Sequence, residues 1–100
     1  MAIKSFKSKA LKKFWDGDFS KVRPDHIDKI QDILSALHAS HHPKDLKAIF
    51  RSFEEEKGGG AGVFTLQVNG NWRVTFQIED DGAILVDYCD YHGKQIKAVK

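Results

Sequence analysis

Apolar residues recur along this chain with two different periods, and the change from one to the other falls past its midpoint. Between Ser8 and Trp15, Leu11, Phe14 and Trp15 stand at i, i+3 and i+4 with lysines between them, which predicts an amphipathic helix of about two turns. Asp16-Gly17-Asp18 ends it, because glycine reaches the left-handed conformation that helix C-termini use. A second helix is predicted from Pro24, a residue suited to the first helical turn. It carries Ile27, Ile30, Ile33, Leu34 and Leu37 on one face and closes within Ala39 to Pro43. Ile3 to Phe6 reads as a short edge strand, Pro43 to Leu46 as a loop or a single helical turn, and Ala48 to Phe53 as a strand.

After the glycine-rich stretch Lys57-Gly58-Gly59-Gly60-Ala61-Gly62, which reads as a loop, the period becomes two. Val63 to Val68 and Trp72 to Ile78 alternate around Asn69-Gly70-Asn71, the signature of a hairpin. A two-residue Asn69-Gly70 turn would mix polar and apolar residues on both faces. A three-residue loop pairs Val68 with Trp72, Leu66 with Val74 and Phe64 with Phe76, and leaves one face wholly apolar. The other face then holds Thr65, Gln67, Arg73, Thr75 and Gln77. In the last strand, Ile84 to Tyr91, the better inward set is Ile84, Val86 and Tyr88, which turns Asp87, Cys89 and Tyr91 toward Arg73. Two or three N-terminal helices packed on one face of a small antiparallel sheet make an α+β fold whose open sheet face is the natural working surface.

Composition narrows the function. A hundred residues make one domain, and a single cysteine, Cys89, leaves no disulfide framework or cysteine-based zinc module, which points to a cytoplasmic protein. Apolar stretches are too short for a membrane span, so no membrane partner is expected. The net charge of +2 is uneven: residues 1 to 30 hold eight basic and four acidic residues. That basic end, with Lys4, Lys7, Lys9, Lys12 and Lys13, suits either a polyanion such as RNA or a merely solvated helix face.

Among candidate chemical groups, Arg73 lies mid-strand, where its planar donor fork suits a phosphate or a cross-strand carboxylate such as Asp87. Asp90-Tyr91-His92 combines a carboxylate, a phenol able to stack on a base and an imidazole at a strand end. Glu54-Glu55-Glu56 is a solvated run from which one member can serve as a general base. His38, His41 and His42 lack the companions of a metal site, so no metal and no cofactor is expected. Neither a nucleotide loop nor a Ser-His-Asp order occurs.

The segments IKSFKSKALKKFW, VNGNWRVTF and VDYCDYH, in order from Ile3 to His92, resemble the HigB-type "plasmid maintenance killer" branch of the RelE/ParE toxin superfamily. The resemblance implies a RelE-like toxin domain over 1–92 followed by a basic tail over 93–100. It further implies a type II toxin that enters the ribosomal A site and cleaves mRNA. Its partner would be a HigA-type helix-turn-helix antitoxin, through which it reaches operator DNA. By position, Arg73 matches the arginine taken to contact the scissile phosphate, Lys57 a lysine of the site, and Asp90, Tyr91 and His92 the terminal active-site triplet. Where the family commonly reads Leu-His-Pro-Leu-Lys-Gly, this chain reads Phe53-Glu54-Glu55-Glu56-Lys57-Gly58, so Glu54 replaces a histidine. Arg73 and Lys57 are then expected to stabilise charge and Tyr91 to stack on a base. Asp90, His92 and an auxiliary Glu54 share the proton transfers in an order left open. Two rivals stand beside this: a gyrase-type inhibitor as in the ParE branch, and a weakened toxin that acts only by binding.

Overall fold

The structure, a computed structural model, describes residues 1–55 and 62–90. Strand β1 (Ala2–Ile3) is followed by helix α1 (Lys9–Trp15), 3-10 turns at Phe19–Lys21 and Pro24–His26, and helices α2 (Ile27–Ala39) and α3 (Pro43–Ile49). Strands β2 (Glu54–Glu55), β3 (Phe64–Asn69), β4 (Trp72–Glu79) and β5 (Gly82–Asp90) complete it. Among the described residues no helix is long and apolar enough to cross a membrane.

The first two helices form where the pattern predicts and for local reasons. Ser8 caps α1, its hydroxyl accepting from the Leu11 N–H, and Gly17 at φ +107° turns the chain away after the last turn. Helix α2 buries Ile30, Ile33, Leu34 and Leu37, and His26 extends the same stripe one turn earlier at 2% exposure. Beyond it the expectation fails. Pro43 to Leu46 is the first turn of a real helix, and Ala48 and Ile49 finish that helix instead of starting a strand. The cause is capping. His42 Nδ1 accepts from the Lys44 N–H at 3.1 Å, and the Asp45 carboxylate accepts from the His41 and His42 N–H groups at 3.0 and 3.2 Å. With Pro43 in the first position, these contacts outweigh the strand preference of the Ile49-Phe50 pair. The strand after α3 is only Glu54–Glu55.

The sheet order is β1-β5-β4-β3-β2, with β1 parallel to β5 and the other neighbours antiparallel, so the small sheet is mixed at one edge. In the β3–β4 hairpin Phe64 faces Phe76 and Leu66 faces Val74, as the alternation requires. Near the turn the expected Val68–Trp72 pair is replaced by Asn69–Trp72, with a register shift at Val68. The connection is therefore the two residues Gly70 and Asn71, and Gly70 supplies the positive φ of +56°. The bulge lets Val68 stay buried although the loop is shorter than the pattern suggests.

A second register shift alters β5. Leu85 adopts φ +54°, and Leu85 and Val86 together oppose Phe76. Val86 is fully buried and Tyr88 packs against the core as expected, but Ile84 moves to the opposite face and Ala83 takes its inward place. Ser5 pins the bulge, its Oγ accepting from Leu85 N–H at 2.9 Å and its carbonyl from Val86 N–H at 3.2 Å. The helices and the inward face of the sheet enclose one core that includes Leu11, Leu34, Leu46, Leu66, Val74 and Phe76. Each such side chain contributes roughly 1.5–3 kcal/mol of transfer free energy.

Candidate active site

Opposite residues in an antiparallel pair share a face, so the registers define two rows on the side of the sheet away from the helices. One runs Glu54, Thr65, Thr75, Asp87 across β2, β3, β4 and β5; the next runs Gln67, Arg73, Cys89. Arg73, Asp87 and Cys89 are half-buried, whereas Thr65 and Thr75 are buried, so this face is open toward the Arg73 row and closed at its middle. The Thr65 hydroxyl is the one buried side-chain polar atom without a hydrogen bond among the described residues.

Charge gathers around Cys89. Burial pushes its thiol up from the ordinary value and Asp87 adds to this, while Lys7 and Arg73 pull the other way and Asp90 contributes a further upward push. The thiol is consequently protonated and no nucleophile. The same set shows that two cations and two carboxylates lie within electrostatic reach of one point at the end of the sheet. Lys7, expected among the outlying lysines, therefore belongs with Arg73. Lys4 is engaged elsewhere, donating to the Glu79 and Asp80 carbonyls at 3.4 and 3.2 Å, and Lys12 pairs with Asp16 at 2.6 Å. Lys9 and Lys13 are exposed on α1.

Asp90 ends β5 opposite Trp72, one position out of phase with Cys89. It lines a cleft of about 280 Å³ with Arg23, Asp25, His26, Trp72 and the Asn69–Asn71 turn. Arg73 and Asp90 thus flank the same end of the sheet from its two faces. Beneath that cleft His26 Nδ1 and the Tyr88 hydroxyl are 2.5 Å apart, Trp72 packs on Tyr88 with ring centroids 4.6 Å apart, and the Arg23 guanidinium sits 5.9 Å from the Trp72 ring. Burial pushes the Tyr88 hydroxyl up, against the opposing influence of Arg23. His26 was invisible as a site residue, yet its spacing to Ile30, Ile33 and Leu37 already set it on the apolar stripe of α2.

Of the expected residues, then, Arg73 and Glu54 share a face and Asp90 stands at its end, while Lys57, Tyr91 and His92 lie outside the described residues. His38 Nδ1 accepts from the Ile3 N–H at 3.3 Å and His42 caps α3, and among the described residues no group of three metal-ligating side chains occurs.

Residues 4–92 match the protein family described as the RelE-like toxin of type II toxin-antitoxin system HigB. The chain is similar to a protein named Endoribonuclease HigB from Proteus vulgaris, 35% identical over 91 residues that make up 90% of this chain and 99% of that protein.

Proposed function

The chain belongs to the HigB-like family of RelE-like toxins of type II toxin–antitoxin systems, and we propose that it exercises its endoribonuclease activity on mRNA in the ribosomal A site. As a toxin of such a system it has an antitoxin partner. In this reading the antitoxin is of the HigA helix-turn-helix type and links the toxin to operator DNA, and the pair acts in the bacterial cytoplasm. Residues 1–92 form the toxin domain and 93–100 a basic tail.

The observation that carries the reading is Arg73 on the open face of the sheet, in one row with Gln67 and Cys89, with Asp87 in the next row and Asp90 at the end of the adjacent strand. Cleaving RNA through its own 2′-OH requires a base to take that proton, donors for the charge developing on phosphorus, and an acid for the departing 5′-oxygen. Arg73 supplies a fork of donors to the phosphate, and Lys57 serves as a second cation. Asp90 and His92 exchange the protons, Glu54 assists as a base from the next row of the sheet, and Tyr91 stacks on a base. The products are a 2′,3′-cyclic phosphate and a 5′-OH. The scheme needs no metal, and two of the three clustered histidines already spend a ring nitrogen on backbone N–H groups.

A defined mRNA translated by purified ribosomes with this protein, followed by primer extension, tests the reading. Cuts that depend on the toxin, carry a cyclic phosphate and survive EDTA treatment once Mg²⁺ is restored are expected. No cuts, with antitoxin binding intact, would favour the purely binding homologue, which the exchange of histidine for Glu54 keeps in view. A requirement for zinc or manganese would overturn the acid–base scheme.

A further inference from the structure

Strand β2 is two residues long and pairs with Phe64 and Thr65, so among the described residues the outer edge of β3 has no neighbouring strand from Leu66 onward. One backbone donor on that edge, the Gln67 N–H, is satisfied by Ser52 Oγ at 3.0 Å. Beside it opens a cleft of about 480 Å³ between Lys29 of α2, the segment Ile49–Ser52 after α3, and Gln67 and Val68 of β3. Among the described residues its charged lining is cationic, Lys29 and Arg51, with no carboxylate. The Lys29 ammonium lies 5.1 Å from the Phe50 ring centroid, and Ile49 is 60% exposed. Gln67 forms the cleft's inner lip and is the cross-strand partner of Arg73.

We infer that this cleft binds the backbone of single-stranded RNA beside the nucleotide being cut, with Lys29 and Arg51 on a phosphate and Ile49 and Val68 against the sugar and base. The inference rests on the endoribonuclease reading and extends it. A strand seated with one phosphate on Arg73 passes over Gln67 and meets these cations next, because adjacent strands are only about 4.8 Å apart. Two cations without a counter-carboxylate, over an apolar floor, match a sugar-phosphate chain. A protein partner would instead require acidic side chains facing this cleft.

The test uses a fluorescein-labelled oligoribonucleotide carrying 2′-O-methyl groups, which lacks the nucleophile and is not cut. The probe is titrated by anisotropy over a series of salt concentrations. Lys29→Gln with Arg51→Gln is expected to weaken binding roughly tenfold. It should also flatten the dependence of log affinity on log salt by about 0.7, the share of one phosphate on a single strand. Lys29→Arg with Arg51→Lys should restore both. On ribosome-bound mRNA the glutamine pair should raise KM and leave kcat within about twofold, since the contact is equal in ground and transition states. Thermal unfolding monitors the fold, and exposed Arg51→Gln alone carries the test if the pair destabilises it.

Binding with parental affinity and salt slope would overturn the inference, as would a loss that the charge-conserving pair fails to restore. Loss of antitoxin affinity with RNA binding intact would also overturn it and assign the cleft to a protein. A parent that binds the probe through these residues yet cuts no mRNA would uphold the cleft while refuting the activity on the ribosome.

Discussion

Arg73 is a half-buried cation on the face away from the core, between Gln67 and Cys89 in its row. Arg73→Ala should lower single-turnover cleavage roughly 100- to 1,000-fold, the usual effect of deleting one transition-state donor. Its unfolding midpoint should stay near the parent's, because the residue is no part of the core cluster; parental cleavage would refute the phosphate role. Glu54 poses the opposite question, because its carboxylate repels a phosphate and offers no cation at neutral pH. If an imidazole suits position 54 better, Glu54→His raises the cleavage rate and Glu54→Ala changes it little. Complete loss in Glu54→Ala without rescue in Glu54→His would identify Glu54 as the working base. Single-turnover rates on ribosome-bound mRNA decide this, since growth assays mix catalysis with expression.

Turns and caps decide the next level. Asp80 and Asp81 form the two-residue β4–β5 turn with φ of +49° and +64°, a conformation suited to Asn-Gly. Asp80→Asn with Asp81→Gly should therefore stabilise the protein by about 1 kcal/mol in urea unfolding, because glycine adopts the left-handed region without strain and asparagine tolerates it well. A Cβ at Gly82 would displace the Lys4 side chain that donates to this turn. The backbone N–H of His41, with that of His42, holds the Asp45 carboxyl below its ordinary 3.8. That cap is fully present above the ordinary value and is lost as pH falls through the lowered one. Asp45→Asn should accordingly flatten the acid limb of a stability–pH curve below about pH 4. These same details mark what could be read in advance. Long periodic segments were legible: the α2 stripe and the alternation around Asn69-Gly70-Asn71 place half of the buried core cluster, Ile30, Ile33, Leu34, Leu37, Leu66, Val68, Val74 and Phe76. Helix α3 was not, because only Leu46 faces the core and its signal resides in caps. Strand β2 is too short to show a period, and nothing in the letters marks Leu85 as the left-handed residue that sends Ile84 to the other face. At the site, Arg73 and Glu54 were legible through alternation and resemblance, whereas Lys7 and His26 needed the fold to bring distant segments together.

Across the whole molecule, the helical layer covers one face of the sheet and leaves Arg73, Cys89 and Glu54 to the other. The parallel pairing of β1 with β5 joins Ala2 to Gly82 and Ile3 to Ala83, nearly the full span of the described chain. Contacts so distant in sequence cannot form until the second partner exists, and such topologies fold late. During synthesis the sheet must therefore wait for residues 82–90 to leave the exit tunnel, and until then Arg73 has no β5 beside it. Released fragments ending before residue 82 should be digested readily by added protease, and the full chain should resist; a resistant early fragment would contradict this. The parallel β1–β5 pair thus ties completion of the five-stranded sheet to the last of its strands to be made.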